Sequence, residues 1–119
     1  MVLVDTSVWV AHLRSGDARL KGLLEQGLVA CHPFVVGELA CGNLGNRKEI
    51  LGLLQALPQA TVARHDEVLG FLDVHKLMAR GLGYVDIHLL ASARLDSLAL
   101  WTLDSNLKKA AERTGISFA

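Results

Sequence analysis

The sequence predicts an α/β fold, a three-layer α/β/α arrangement around a mostly parallel central sheet. Three observations predict it. Short apolar runs alternate with stretches of helical period along the 119 residues, the pattern left by repeated βα units. The first run, Val2-Leu3-Val4, is apolar at consecutive positions. Neighbours on a strand face opposite ways, so such a run belongs to a strand buried on both sides. Hydrophobic residues make up 51% of the chain, enough to fill a core and too many for a disordered segment.

Each element follows in order. Val2-Leu3-Val4 opens the sheet, and a helix is expected from Ser7 to about Leu13. Asp17 can cap a second helix with Leu20, Leu23 and Leu24 on one face, ended by Gly27. Leu28-Val29-Ala30-Cys31 is the next strand. Pro33 suits the first turn of a helix running through Phe34 to Cys41, and Gly42 to Gly45 break the chain. Ile50, Leu51, Leu53, Leu54 and Leu57 form one helical face that stops before Pro58. Thr61-Val62-Ala63 reads as a short strand, and Asp66 to Arg80 as a helix followed by the turn Gly81-Leu82-Gly83. A helix capped or opened by Asp86 runs to about Leu95, Leu98 to Leu103 is a strand, Ser105 to Arg113 a helix, and Ile116-Ser117-Phe118 an edge strand.

The length fits one domain over residues 1–119. No apolar run approaches the roughly 20 residues that span a bilayer. The N-terminus has no basic segment and meets Asp5 at once, so it does not read as a signal peptide, and a cytoplasmic protein is expected. Cys31 and Cys41 fit no zinc spacing and read as reduced core thiols. The 12 acidic and 12 Lys or Arg side chains cancel, which argues against a general DNA-coating protein. If four of the 12 acids face a metal, the remaining surface carries eight acids against 12 basic residues and is mildly positive, which is compatible with RNA without demonstrating it.

Four acids stand in telling places. Ligands of open parallel sheets bind beyond the carboxyl ends of the strands. Asp5 directly follows the first strand, and Asp104 directly follows the run ending at Leu103. Asp86 opens a helix. Glu38 interrupts the apolar stretch Phe34–Ala40, where a lone charge is costly. Two have a plainer reading, a helix cap for Asp86 and a turn for Asp104. Asp5 after a strand is less easily explained by a turn, and Glu38 has no Lys or Arg three or four residues away. Yet no Lys or Arg accompanies any of them in the immediate sequence, within three residues on either side. Carboxylates brought together repel unless a cation neutralises them, and a hard divalent cation takes oxygen ligands. The chemistry that follows is metal-assisted phosphodiester hydrolysis by an activated water.

Among the basic residues, Arg80 precedes the glycine turn leading to Asp86, and Lys108 and Lys109 follow Asp104; these are the leading candidates for RNA phosphate contacts, ahead of Arg14, Lys76 and Arg94. The plainer reading for all of them is a solvated helix face. The five histidines, at 12, 32, 65, 75 and 88, show no ligand spacing. The early helices carry more apolar side chains (Leu13, Leu20, Leu23, Leu24, Val35, Val36, Leu39, Leu44) than one small core needs. They form either a partner groove or dimer interface, or ordinary core.

The opening Val2-Leu3-Val4-Asp5-Thr6-Ser7-Val8-Trp9 resembles that of PIN domains, especially VapC toxins of type II toxin–antitoxin modules. Gly37-Glu38-Leu39, Tyr84-Val85-Asp86-Ile87-His88-Leu89-Leu90-Ala91 and Leu100-Trp101-Thr102-Leu103-Asp104 match the later acidic motifs in order. The resemblance implies a PIN-like fold, RNA cleavage dependent on Mg²⁺ (Mn²⁺ substituting), a homodimer and a cognate antitoxin whose helix lies in an apolar groove. It carries Asp5, Glu38, Asp86 and Asp104 over as catalytic and metal-binding acids, and Ser7 and Thr102 as supporting hydroxyls. Many relatives have another Asp two positions after the fourth acid, where Asn106 stands here. That departure implies one firmly held metal, a second arriving with substrate.

Other classes compete. A catalytically silent PIN-fold module binding RNA or protein would tolerate loss of an acid, and none is lost. A phosphatase using Asp5 as nucleophile would want an acid at position 7, which is Ser; a receiver-like signalling domain would want a Lys where Asp104 stands. A structure-specific DNA nuclease would need more chain for a helical arch.

Overall fold

A computed structural model describes residues 1–119. Ten elements follow in the order β1 (Val2–Val4), α1 (Thr6–Ser15), α2 (Ala18–Glu25), β2 (Val29–Ala30), α3 (Pro33–Ala40), α4 (Arg47–Ala56), α5 (His65–Val74), α6 (Tyr84–Leu95), β3 (Ala99–Trp101) and α7 (Ser105–Arg113). The fold is α/β with a parallel sheet ordered β2-β1-β3. All three residues of β1 are buried. Alternate side chains leave opposite faces, so both faces of the central strand are covered. Single parallel bridges, Cys31 to Gln59 and Leu100 to Ser117, extend the sheet by one residue at each edge. A core of 26 buried residues surrounds it, with Leu3, Leu89, Leu90 and Leu100 among its members.

The sequence boundaries need four corrections. Thr61–Ala63 is not a strand. Its chain meets the sheet two residues earlier, at Gln59, and Thr61 is instead held by Asp96, which accepts from the Thr61 amide at 2.6 Å and from its hydroxyl at 2.9 Å. The helix expected to reach Arg80 stops at Val74. Beyond it Lys76 and Ala79 adopt left-handed backbone (φ 52° and 59°), which turns Leu77 into the core. The strand expected to reach Leu103 ends at Trp101, because Thr102 and Leu103 turn away to serve the site described below. The last edge strand shrinks to the bridge at Ser117, flanked by bonds from the Leu100 amide to Ile116 and from the Phe118 amide to Leu100.

One cysteine also departs from expectation. Cys31 is buried, and burial pushes its thiol up to about 11, so it stays an inert packing residue. Cys41, at the end of α3, is exposed rather than a core thiol.

Candidate active site

Parallel register decides where the polar residues converge. Val4 pairs with Trp101, so the next residues, Asp5 and Thr102, leave the sheet side by side at its carboxyl end. The Asp5 amide still donates to the Trp101 carbonyl at 2.9 Å. Beyond that bond the strands diverge into α1 and α7, and a polar site replaces the ladder.

Asp5 is buried, and its carboxylate is held by two hydroxyls. Ser7 and Thr102 each donate to Oδ2 at 2.7 Å. A hydroxyl has one hydrogen, so their own 3.3 Å approach adds no further bond; both act as acceptors on their other side. Ser7 Oγ receives the Leu103 amide at 3.0 Å, and Thr102 Oγ1 receives the Asp104 amide at 3.0 Å. These two bonds take the backbone out of the sheet and set Asp104 beside Asp5.

The other acids are anchored locally. Asp104 caps α7, its Oδ1 accepting from the Leu107 amide at 2.9 Å. Asp86 is not the cap of α6 but sits within its first turn, its Oδ2 accepting from the Gly83 amide at 2.9 Å. Glu38, exposed on α3, receives the Thr6 hydroxyl on Oε1 at 2.7 Å. Thr6 has no distinctive sequence signal beyond its place between Asp5 and Ser7.

A common pattern emerges. Each of the four carboxylates gives one oxygen to a protein donor, and the other has none. None is paired with a cation: the protein's only ion pairs join Arg64 to Asp66 and Glu67. Their charges act on one another. Burial raises the Asp86 carboxyl above the usual range, and the charges of Asp5, Asp104 and Glu38 push the same way, against the Gly83 amide. No three acid, His or Cys side chains stand as a closed ligand set. Repulsion acts over longer distances than coordination does, so like charges that lack a counterion share a mouth without sharing a centre. The donor chemistry, carboxylate oxygens alone, fits a hard divalent cation.

The remaining residues fall around this mouth. Asn106 lies on α7 against the turn at Gly81, where an added Cβ would come within 2.5 Å of its Nδ2. Arg80, Lys109 and Arg113 line a cleft with it. Lys108 is exposed and lines none of the larger cavities. Arg94 bonds to the Thr114 carbonyl, away from this cleft. On the Glu38 side, α1, α3 and α4 enclose a groove of about 590 Å³ whose wall includes Val10, Leu13, Leu44 and Ile50, with Arg14 at its edge. Of the apolar residues in excess on the early helices, Leu20, Val35, Val36 and Leu39 are core, whereas Leu13 stays exposed. His88 is buried between Phe34 and Tyr84, with Nδ1 unpartnered.

Acids gathered where a parallel sheet ends, each with a free oxygen, define the class. The chain belongs to the PIN domain family, which matches residues 2–113. Over its whole length it is 48% identical to Ribonuclease VapC32 of Mycobacterium tuberculosis (two strains), covering 97% of that protein. Among solved structures it is similar to PAE2754 from Pyrobaculum aerophilum (TM-score 0.68, 19% identity, 98% of this chain and 87% of that one). It also resembles Mycobacterium tuberculosis VapC20, described as a sarcin–ricin loop cleaving toxin (TM-score 0.64, 21% identity, 92% and 95%). At these identities the two structures establish the shared fold.

Proposed function

We propose that this chain is a Mg²⁺- or Mn²⁺-dependent endoribonuclease, the toxin of a type II toxin–antitoxin pair, acting in the cytoplasm as a one-domain protein of residues 1–119. Asp5, Glu38, Asp86 and Asp104 are the residues that would hold the metal, which would draw together side chains that do not form a closed ligand set without it. The observation that carries this reading is that all four carboxylates keep one oxygen free and none has a cationic partner. The full-length similarity to a protein named as a ribonuclease supports it.

When bound, a hard divalent cation supplies Lewis acidity toward a phosphodiester and lowers the pKa of water. The protein's own contribution is placement. Ser7 and Thr102 fix the buried Asp5, the amides of Gly83 and Leu107 fix Asp86 and Asp104, and Thr6 steers Glu38. Side chains locked by their own bonds keep their geometry when substrate arrives. Burial and its neighbours raise the Asp86 carboxyl, so a proton there competes with a cation. No protein nucleophile is required. The absence of a fifth acid at Asn106 favours one firmly held metal.

The groove beside Glu38 supports an antitoxin helix as partner: its wall is apolar, and an acid stands at its margin. Exposed Val74 and Leu95, flanking a cavity between α5 and α6, support a homodimer.

The test is incubation of purified, antitoxin-free protein with total cellular RNA in Mg²⁺, Mn²⁺ or EDTA, beside Asp5→Asn. Discrete cleavage that requires metal and disappears in the variant is the expected result. Absence of cleavage with every metal would overturn the reading.

A further inference from the structure

The turn at residues 75–81 and helix α7 enclose a cleft of about 310 Å³, lined by Ala79, Arg80, Asn106, Lys109, Ala110 and Arg113. Three cations converge there and no acid does. None of the three takes part in an ion pair, since the protein's only pairs involve Arg64. Cations gathered without a counter-charge repel, and a solvated face would let them spread.

Two of these cations are not free to spread. Arg80 donates through Nε to the Lys76 carbonyl at 2.9 Å, and Arg113 through Nε to the His75 carbonyl at 3.4 Å. Consecutive carbonyls of one turn therefore tether both guanidinium groups. The terminal nitrogens of each make no bond within the protein. A tethered guanidinium with a free two-nitrogen edge is the donor geometry that grips a phosphate. The turn that supplies the carbonyls holds Lys76 in left-handed backbone, with Ala79 likewise left-handed just beyond, a conformation that non-glycine residues keep only where the surroundings impose it.

The cleft is joined to the acidic mouth along the chain on two sides. One wall passes from Arg80 through Gly81 to Gly83, whose amide holds Asp86. The other wall, α7, is capped by Asp104, two residues before Asn106. The Asn106 side chain packs on Gly81 where the walls meet. A strongly acidic site and a purely basic cleft thus share two backbone segments.

We propose that this cleft is a phosphate subsite, gripping a neighbouring phosphate of the same RNA strand whose bond is cut at the acids; this rests on the ribonuclease reading above. Arg80, Lys109 and Arg113 are its ligands, and Asn106 separates it from the metal site.

Binding of a fluorescein-labelled single-stranded RNA, followed by anisotropy in EDTA across a salt series, tests it. Each phosphate contact on a single strand contributes about 0.7 to the slope of log affinity against log salt. The triple variant Arg80→Gln/Lys109→Gln/Arg113→Gln is expected to lose about 2 from that slope and at least about tenfold in affinity at low salt. Lys21→Gln/Arg47→Gln/Lys48→Gln removes the same charge elsewhere and is expected to change both little. Equal losses in the two triples would overturn the subsite. So would a cleft triple that binds like the parent protein while the parent cleaves RNA, an outcome that leaves the ribonuclease reading standing. A parent protein that neither binds nor cleaves RNA brings both down. Should the triple lose its cooperative melt, Lys109→Gln alone, whose side chain bonds to nothing in the protein, is expected to lower the slope by about 0.7, and an unchanged slope refutes the subsite.

Discussion

Asp5 and His32 both follow strands at the carboxyl end of the sheet, both are buried, and their surroundings obey opposite rules. His32 is fully satisfied. Its Nδ1 accepts the Phe34 amide at 3.0 Å, so its proton sits on Nε2 and is donated to Ser92 at 3.0 Å. Burial, with repulsion from His88 and against the pull of Asp96, lowers its pKa to about 4. It is a neutral group that completes the core. Asp5 is held as firmly, through Ser7 and Thr102, yet one oxygen is left without a donor beside three other unpaired acids. Buried polar groups normally find all their partners. Asp5 is the one buried acid of the four, and it keeps an oxygen without a protein donor. Half-buried Asp86 and exposed Glu38 and Asp104 stand near it with no cation, an arrangement left open to something that arrives from outside.

The largest expected effect separates the two rules directly. Asp5→Asn keeps a side-chain oxygen for the hydroxyls of Ser7 and Thr102 but removes the charge. Cleavage should fall at least about a thousandfold, while the melting temperature in EDTA stays near that of the parent. Divalent metal should raise the melting temperature of the parent and not of the variant. A variant that unfolds in EDTA would show that Asp5 is structural, as His32 is.

The matching effect at His32 is on stability and follows pH. Its folded pKa lies below the unfolded value near 6.5, so the unfolded chain binds the proton more readily. The contribution is complete above pH 6.5 and is lost as pH falls toward 4, by about 3 kcal/mol over that window. Thermal melts across this range should show the loss, and His32→Asn, less stable at neutral pH, should flatten it. Parallel curves for parent and variant would refute the assignment.

Much of this contrast was legible in the sequence, and the illegible part has a common cause. Asp5 and Asp104 stand out because they follow strands, Glu38 because it interrupts an apolar stretch, and Asp86 because it opens a helix. Strand-end register then brings Asp5 and Thr102 together without further information. What sequence conceals is tertiary closure. The satisfied pair His32 and Ser92 lies 60 residues apart, and His32 reads as an isolated histidine. The helix expected to continue from Val74 to Arg80 ends early because Leu77 must enter the core, a demand that periodicity does not carry. Arg113 shows no link to the turn at 75–81 until the fold brings α7 against it.

Intermediate effects sharpen the comparison at the hydroxyls. Thr102→Ala leaves Asp5 with one donor and frees the Asp104 amide, so cleavage should drop about ten- to a hundredfold with about 1 kcal/mol of stability. Ser92→Ala orphans the His32 Nε2 proton, costing about 1–3 kcal/mol, and should leave cleavage at the parental rate. A Thr102→Ala enzyme that keeps full activity, or a Ser92→Ala enzyme that loses it in proportion to stability, would erase the distinction between the two hydroxyls.

The smallest expected effect lies where the acidic mouth meets the basic cleft. Gly81 has φ +73°, and a Cβ there would come within 2.5 Å of Asn106 Nδ2. Gly81→Ala therefore strains the backbone by about 1 kcal/mol and moves the end of the Asn106 side chain, a flexible group that can yield. Because the turn carries Arg80 on one side and leads to the Gly83 amide on the other, one displaced residue touches both walls. Modest destabilisation together with a few-fold weaker RNA binding is expected, and Asn106→Ala introduced beside Gly81→Ala should relieve the clash while leaving the backbone strain. If the double variant melts no higher than Gly81→Ala alone, the contact between Asn106 and the turn does not join the two sites, and the cleft and the acids are neighbours without being coupled.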